Sequence, residues 1–360
     1  MISKRLFPIL EASTEEKARL SEVNRIIDSL FENGDLEETQ KFKANSIKRV
    51  TFLYGPWLCN FSCPKYCYTK GTGDGVLTVN QILNVIEQAR EMGAQVTYWP
   101  GEGELTLIRT FWDVMDNQTQ NNLPTVLFTN GSIFHNDNIS KGVLGESSDS
   151  LVDRLNSDYC DLHLYVKYWH SDPKRAAEMV GVDEREYPYE RVNGRNVPLS
   201  LTKLLEKVNR ERLGVEVMVS RENYDDVVEN LLPAAEELGI YAYVEPVIFS
   251  GNAINKQKEL ALTPEQQHRL RDVFASGGTY CEKRQSIELI VKGSMLTPGI
   301  AITPRTEDTI LDDAGNVVNV FNVFHNNYFR KMRKISNEQG GCLCRKYWDN
   351  AGNFQLVQIL

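Results

Sequence analysis

No run of apolar residues in the sequence is long enough to cross a bilayer, so we expect no membrane-spanning helix and no membrane partner. The first ten residues include Lys4, Arg5 and Pro8 and lack the apolar core of a signal peptide, which favours a cytoplasmic protein. Basic residues are fewer than acidic ones, 40 against 49, and the net charge of −9 argues against nonspecific nucleic-acid binding. The sequence has no P-loop, no serine nucleophile elbow and no HExxH segment. No motif therefore supports P-loop phosphate binding, serine hydrolysis or zinc-protease chemistry.

Short apolar runs alternate with helical stretches from Ile47 onward. This alternation predicts six parallel strands joined by helical crossovers, and it fits either an open doubly wound sheet or a barrel-like sheet. Pro233 lies inside one predicted helix and is expected to kink or split it. The predicted strands are 50–54, 95–99, 125–128, 161–166, 215–219 and 240–244, and the predicted helices between them are 78–92, 105–121, 150–156, 199–212 and 223–238.

Three segments are predicted from these patterns. Residues 1–46 form an N-terminal helical extension with a helix from 13 to 34, and residues 47–275 form the α/β core. Residues 276–360 form a small C-terminal domain, with a hairpin over 286–297 and one helix over 320–335. Within the core, residues 181–197 are polar and contain Gly and Pro, so they are predicted to be an exposed loop.

Three of the seven cysteines follow the first strand directly, in Cys59-Asn-Phe-Ser-Cys63-Pro-Lys-Tyr-Cys67-Tyr. Thiolates favour zinc, copper(I) or iron–sulfur clusters, and three of them on one loop can close around one metal centre. A structural zinc site uses four ligands, and this loop supplies three. On a 4Fe–4S cluster, three cysteines leave one iron open for a substrate or cosubstrate. Zinc completed by a distant residue is the alternative.

This loop resembles the cluster loop of the radical S-adenosylmethionine (SAM) superfamily. The usual spacing there is CxxxCxxC, with an aromatic residue before the last cysteine. Here the spacing is CxxxCxxxC, with one additional residue around Lys65, and Tyr66 holds the aromatic position. The resemblance implies that Cys59, Cys63 and Cys67 bind a 4Fe–4S cluster whose open iron meets the cofactor SAM.

Further segments resemble the superfamily in the same order, from about residue 50 to residue 253. Gly101-Glu102-Gly103-Glu104 is similar to the glycine-rich segment that binds the methionine amino group of SAM, with Glu102 or Glu104 as its carboxylate. Thr129-Asn130-Gly131 is similar to the superfamily's "TNG" segment, and Lys167 to a residue near the SAM carboxylate or ribose. The resemblance therefore implies an α/β fold with a partial (βα)6 TIM-like barrel. The residues that it places beside SAM are Tyr66, Gly101, Glu102, Gly103, Glu104, Asn130 and Lys167.

The C-terminal cysteines, Cys281, Cys342 and Cys344, resemble a reduced SPASM or twitch extension, which holds auxiliary iron–sulfur clusters. It is reduced because Thr-Pro-Gly stands at 297–299 without a cysteine, and CxC replaces the common CxxC. These three cysteines could ligate a second cluster, bind zinc together with His325, or bind no metal. If Cys281 is free, it could donate a hydrogen atom to a substrate radical, as an epimerase requires.

The resemblance implies an oxidoreductase or isomerase-type enzyme. It would cleave SAM reductively at the 4Fe–4S cluster and use the 5′-deoxyadenosyl radical to abstract hydrogen from a small-molecule substrate, in a dehydrogenation or epimerisation step of a biosynthetic pathway. A reducing partner such as flavodoxin or ferredoxin would supply the electron. Two alternatives stay open, a peptide-modifying radical SAM maturase and a non-catalytic zinc-binding protein.

Overall fold

The computed structural model describes residues 47, 49–53, 58–67, 77–118, 123–249, 251–253, 255–270, 288–297, 305–330 and 332. The predicted N-terminal helix lies outside these residues, and so do Cys281, Cys342 and Cys344. The described residues fall into two compact units. The first unit contains 58–67 and 99–270, and the second contains 47–53, 77–98 and 288–332. The predicted domain boundaries at 46 and 275 stay predictions.

Within each unit the strands pair mostly in parallel, and the first unit also contains a separate two-stranded hairpin. All six predicted core strands form, and the predicted α/β, TIM-like fold class is confirmed. The strands are β1 Arg49–Leu53, β2 Val96–Trp99, β3 Thr125–Thr129, β4 Leu162–Lys167, β5 Tyr189–Val192, β6 Arg195–Pro198, β7 Leu213–Val219, β8 Tyr241–Pro246, β9 Glu288–Lys292 and β10 Met295–Thr297.

Several of the described helices begin at a residue whose side chain caps the first turn. The first one begins at a capping box, in which Thr78 and Gln81 exchange side-chain-to-backbone hydrogen bonds of 3.3 and 2.8 Å. The α-helices are α1 Val79–Glu91, α2 Arg109–Gln118, α3 Asp137–Leu144, α4 Ser148–Ser157, α5 Pro173–Val180, α6 Leu199–Lys207, α7 Tyr224–Asp226, α8 Leu232–Leu238, α9 Gln257–Leu260, α10 Pro264–Leu270 and α11 Val320–Phe324. Among the described residues, none of the helices is long and apolar enough to span a membrane.

The kink or split expected at Pro233 stays a prediction. A π-helical turn, Val227–Leu231, lies between α7 and α8, and Pro233 lies in the first turn of α8. Proline tolerates that position because the first turn of a helix needs no N–H partner there. The backbone stays helical through the π turn, since Asp226, Leu231 and Leu232 all have right-handed helical dihedral angles.

In the first unit, β4 pairs in parallel with β3 and β7, and β8 extends the same run beyond β7. Three rings, Phe128, Tyr165 and Tyr243, meet on one face of these strands with centroids 4.9–5.7 Å apart. Gly214 lies between them on β7, where a Cβ would come within 2.4 Å of the Tyr165 ring. We call the side that carries these three rings the inner face, and side chains two residues further along each strand lie on it as well.

In the second unit, β1 pairs in parallel with both β2 and β9. β9 turns at Gly293 into antiparallel β10, as the predicted hairpin requires. Arg49 and Glu288, which are register partners on β1 and β9, form a buried ion pair of 2.7 Å. Thr51 donates a second hydrogen bond to the Glu288 carboxylate. This buried ion pair connects β9 to β1, although 239 residues separate Arg49 and Glu288 in the sequence.

Two expectations about local structure are wrong. The segment 181–197 is not wholly a loop, because β5 and β6 form an antiparallel hairpin with a turn at Asn193 and Gly194, which both have positive φ. The segment 320–335 is not one continuous helix, because α11 ends at Phe324 and a turn follows at His325 and Asn326. The sequence lacks a proline or glycine that would mark this second break.

Candidate functional site

The cysteine loop follows β1 along the chain and belongs to the first unit. Cys59 is exposed, and Cys63 and Cys67 are partly exposed. The backbone N–H of Phe61 donates to the Cys59 sulfur at 3.4 Å. Cys63 has a φ of 25°, a value that costs free energy for a residue with a side chain. Strain of this kind concentrates at functional sites, so it marks Cys63 as a residue whose conformation the surroundings impose.

The end of α5 holds the middle of this loop. The N–H groups of Ser62 and Cys63 both donate to the carbonyl of Val180, at 3.0 and 2.9 Å. The Ser62 hydroxyl donates to the carbonyl of Gly181 at 3.0 Å. Gly181 has a φ of 70°, and a Cβ there would come within 2.1 Å of the Ser62 oxygen. A glycine is therefore required where the helix ends against the loop.

The thiols of the loop influence one another electrostatically. Desolvation, and after it the charge of Glu104, raises the pKa of Cys59 to about 11. Desolvation raises the pKa of Cys63 to about 12, while the positive charge of Lys167 works against this rise. Because only the thiolate is a good metal ligand, a metal centre must displace these protons when it binds.

The glycine-rich segment after β2 lies directly against the start of the cysteine loop. The N–H of Glu104 donates to the carbonyl of Leu58 at 2.8 Å. Gly103 has a φ of 96°, and a Cβ there would come within 2.6 Å of the same carbonyl oxygen. The close approach of the two segments therefore depends on this glycine. Gly101 also has a positive φ, 77°, so both glycines of the segment adopt backbone conformations that favour glycine.

Glu104 is buried, and its carboxylate accepts four hydrogen bonds. Its Oε1 accepts from the N–H and hydroxyl of Thr106, at 3.2 and 2.7 Å, and from the Thr129 hydroxyl at 2.6 Å. Its Oε2 accepts from the N–H of Asn130 at 2.6 Å. These contacts join the end of β3 to the glycine-rich segment. Glu102 is buried as well, with 3% of its surface exposed.

Asn130 connects the end of β3 to the cysteine loop. Its side-chain amide donates to Oδ1 of Asn60 at 2.8 Å, and its own Oδ1 accepts from the N–H of Ser132 at 2.9 Å. Gly131 follows with a φ of 75°, and a Cβ there would come within 2.7 Å of Ser200. The predicted Thr-Asn-Gly segment therefore contacts the loop through its asparagine, and its glycine packs against α6.

Lys167 ends β4 on the inner face, and its register partner on β7 is Glu216. Lys167 Nζ lies 3.1 Å from Glu216 Oε2 and 5.6 Å from the centre of the Trp169 ring. Burial alone would lower the pKa of Lys167, but the charges of Glu216 and Cys63 raise it, so the ammonium is retained. Burial raises the pKa of Glu216, and Lys167 opposes that rise.

The sequence analysis missed Glu216 as a site residue. One signal could have identified it, since it is the single charged residue in the otherwise apolar strand Leu213–Val219. A carboxylate in such a strand must find a cation or a ligand, because burying it unpaired is costly.

Tyr66, within the cysteine loop, is buried, and its ring lies 5.6 Å from the Trp169 ring. Its hydroxyl donates to Oε2 of Glu222 at 2.7 Å. Burial first, and then this carboxylate, raises the pKa of Tyr66. The indole N–H of Trp169 is buried and has no hydrogen-bond partner among the described residues. A donor of this kind is available to a bound ligand.

The described residues that the sequence analysis assigns to the first cluster and to SAM all belong to the first unit, whereas His325, its candidate zinc ligand, is buried in the second unit. The contacts above connect the cysteine loop with Gly103, Glu104 and Asn130, and the charge of Lys167 acts on two of its thiols. Among the described residues, no three His, Cys, Asp or Glu side chains are arranged to ligate one metal ion. The proposed roles of Cys281, Cys342 and Cys344 lie outside the described residues.

No family model and no curated protein matches the chain. Among solved structures, it is similar to Streptococcus suis SuiB bound to the precursor peptide SuiA, with a TM-score of 0.55 and 11% identity over 82% of this chain and 69% of SuiB. It is similar to SuiB bound to S-adenosylmethionine, with a TM-score of 0.52 and 11% identity over 90% of this chain and 72% of SuiB.

A third similar structure is anSMEcpe with bound AdoMet and the Cp18Cys peptide. The TM-score is 0.51 and the identity 12%, over 81% of this chain and 83% of anSMEcpe. At identities this low, the likeness establishes the fold alone. The predicted α/β, TIM-like fold class is confirmed, and this chain has the same fold as SuiB and anSMEcpe.

Proposed function

We propose that the protein is a radical SAM enzyme that binds a 4Fe–4S cluster through Cys59, Cys63 and Cys67. The observation that carries this proposal is the contact of the cysteine loop with the glycine-rich segment. Leu58, next to Cys59, accepts from Glu104 and lies against Gly103. Three thiols and a segment suited to the amino group of SAM therefore lie side by side.

The donor set of the loop fits an iron–sulfur cluster. Thiolate sulfur is its usual protein ligand, and each cysteine binds a different iron. The cysteines of a cluster therefore bind separate iron atoms, whereas the four ligands of a structural zinc site all bind one ion. Negative charge on Cys59 and Cys67 raises the pKa of Cys63, so the three thiols lie within electrostatic reach of one another.

When bound, the reduced cluster would supply the electron that cleaves SAM to methionine and a 5′-deoxyadenosyl radical, which takes hydrogen from the substrate. The chain's own residues bind and orient. Backbone carbonyls of the glycine-rich segment and the carboxylate of Glu102 would accept hydrogen bonds from the amino group of SAM. Lys167 supplies a retained positive charge on the inner face. The buried rings of Phe61, Tyr66 and Trp169 exclude water beside the loop.

For the substrate, we keep a small molecule as the first candidate, with dehydrogenation or epimerisation as the reaction. Its support is the acidic balance of the chain, which disfavours RNA. A peptide substrate is the second candidate, and the specific observation that favours it is the peptide seen with both SuiB and anSMEcpe. A reducing partner such as flavodoxin or ferredoxin belongs to either reaction.

The test of this function is SAM cleavage by the anaerobically reconstituted protein. We expect iron with acid-labile sulfide, and 5′-deoxyadenosine after reduction. Cys63→Ala should abolish 5′-deoxyadenosine production, while Cys160→Ala, at an exposed free thiol, should leave it unchanged. Zinc without sulfide, or normal cleavage by Cys63→Ala, would overturn the assignment in favour of the zinc-binding alternative.

The C-terminal cysteines need a separate experiment. We propose that Cys281, Cys342 and Cys344 hold an auxiliary cluster. Cys342→Ala should then bind less iron than the wild-type chain, while 5′-deoxyadenosine can still form. An unchanged iron content would show that Cys342 is not a ligand.

A further inference from the structure

The spacer between the second and third cysteines has three residues, Pro64, Lys65 and Tyr66. The structure closes this spacer into a single turn, with the N–H of Cys67 3.4 Å from the carbonyl of Cys63. That distance is long for a hydrogen bond, and Cys63 carries a positive φ. The turn alone therefore does not fix the relative positions of the two cysteines, so other groups must hold them.

Asn252 contacts both ends of this turn. Its backbone N–H donates to the carbonyl of Cys67 at 2.8 Å, and its side-chain amide donates to the carbonyl of Cys63 at 3.1 Å. Asn252 lies on the short turn Gly251–Ala253 after β8, 189 residues from Cys63. An asparagine at this position spans the two carbonyls with a fixed separation, because both of its donors belong to one short residue.

A second set of contacts holds the outer side of the turn. Lys65 Nζ lies 2.8 Å from a carboxylate oxygen of Glu222 and 2.5 Å from one of Glu259. Glu222 also accepts from the buried Tyr66 hydroxyl. These ion pairs are more than one-third exposed, and such pairs contribute only about 0.2–1 kcal/mol each to stability. Their removal should therefore move the loop without unfolding the protein.

We infer that Asn252 is a positioning residue for the metal centre. It sets the spacing of Cys63 and Cys67 in the enlarged spacer, and Lys65 braces the same turn from outside through Glu222 and Glu259. This inference rests on the proposed function, because it takes the three cysteines to be cluster ligands. Groups that orient metal ligands without touching the metal commonly change metal affinity by about 10- to 100-fold when they are replaced.

The experiment compares Asn252→Asp with Asn196→Asp in the same chain. Both changes replace a partly buried amide that donates to a backbone carbonyl by a carboxylate, since the Asn196 amide donates to the carbonyl of Ser171 at 3.0 Å. Asn252→Asp keeps the backbone N–H and loses only the donor to Cys63. After anaerobic reconstitution, we measure iron and sulfide content, the EPR spectrum of the reduced cluster, and the rate of iron loss to a chelator.

We expect Asn252→Asp to lose iron about tenfold faster than the wild type, with shifted EPR lines, while Asn196→Asp matches the wild type. The urea midpoint before reconstitution should be the same for both variants. Wild-type rates and spectra for Asn252→Asp would overturn the inference while leaving the proposed function intact. A wild-type chain without iron and sulfide would overturn both.

Lys65→Met provides an independent variant if Asn252→Asp does not fold. Lys65 is partly exposed, so its replacement keeps the chain folded. We expect shifted EPR lines for Lys65→Met and a return toward the wild-type spectrum for Lys65→Arg, which restores the charge. An unchanged spectrum for Lys65→Met would count against the brace and against the inference.

Discussion

Lys167 and Glu216 face each other across the β4–β7 register and form an ion pair of 3.1 Å. They lie two residues beyond Tyr165 and Gly214 on the same strands, so a charged pair follows directly on the aromatic cluster of the inner face. The Lys167 side chain is 21% exposed and that of Glu216 is 12% exposed. Each charge therefore depends on the other for compensation, and the pair gives the inner face a fixed polar group.

Lys167→Met should lower the free energy of unfolding by about 1–3 kcal/mol, because it leaves the Glu216 carboxylate buried without its cation. Urea denaturation of the chain before reconstitution measures this loss. The double variant Lys167→Met with Glu216→Gln should recover part of it, because the unpaired charge is then absent. A single variant as stable as the wild type would show that water compensates Glu216 instead.

Gly103→Ala should destabilise the chain and weaken metal binding by the cysteine loop. Its Cβ would collide with the Leu58 carbonyl, and its φ of 96° adds strain of about 1–3 kcal/mol. Gly145→Ala is the matched control, because Gly145 has a φ of 78° but open space around its Cβ position. Thermal denaturation and iron content measure the two effects. Equal iron uptake by the two variants would argue against the importance of this close approach.

The buried pair Arg49–Glu288 should contribute to the stability of the second unit. Glu288→Gln leaves the Arg49 guanidinium without its carboxylate, and the loss of one partner of a buried pair costs about 3–5 kcal/mol. Arg109→Met removes a pair with Asp113 that is largely exposed, and it should cost only about 0.2–0.5 kcal/mol. Urea denaturation of both variants tests the difference. Similar losses in the two variants would contradict this prediction.

His135 should make stability depend on pH. Burial lowers the pKa of His135 below 6.5, although a backbone contact with Gly131 opposes the shift. The unfolded chain then binds a proton more readily than the folded chain, so stability should fall as the pH drops below about 6.5. Once the pH is below the folded-state pKa, the loss is complete.

We expect His135→Gln to show a smaller loss of stability than the wild type between about pH 6.5 and pH 5. His163, whose pKa burial also lowers, is present in both proteins and cancels in the comparison. His268→Gln, at an exposed position, is the control variant. Parallel pH profiles for the wild type and His135→Gln would rule out the contribution of His135.

Local sequence signals predicted much of the α/β core. Strand and helix periodicity placed the six core strands, because a buried strand and an amphipathic helix each leave a repeat that short-range sequence records. The capping box at Thr78 follows from backbone chemistry within a few residues. The hairpin at Tyr189–Pro198 was missed, because its strands are only four residues each, are mostly polar and carry no alternating apolar pattern.

The sequence by itself determined the chemistry available to this protein, namely three thiols on one loop, a glycine-rich segment and the alternation of strands and helices. The tertiary structure decided which distant groups meet. Asn252 contacts Cys63 and Cys67, Lys167 pairs with Glu216, and Glu104 binds the end of β3. The physical reason is that such contacts depend on strand register and loop closure. A one-residue slip in register turns every side chain of a strand to the other face, and no short-range pattern encodes it.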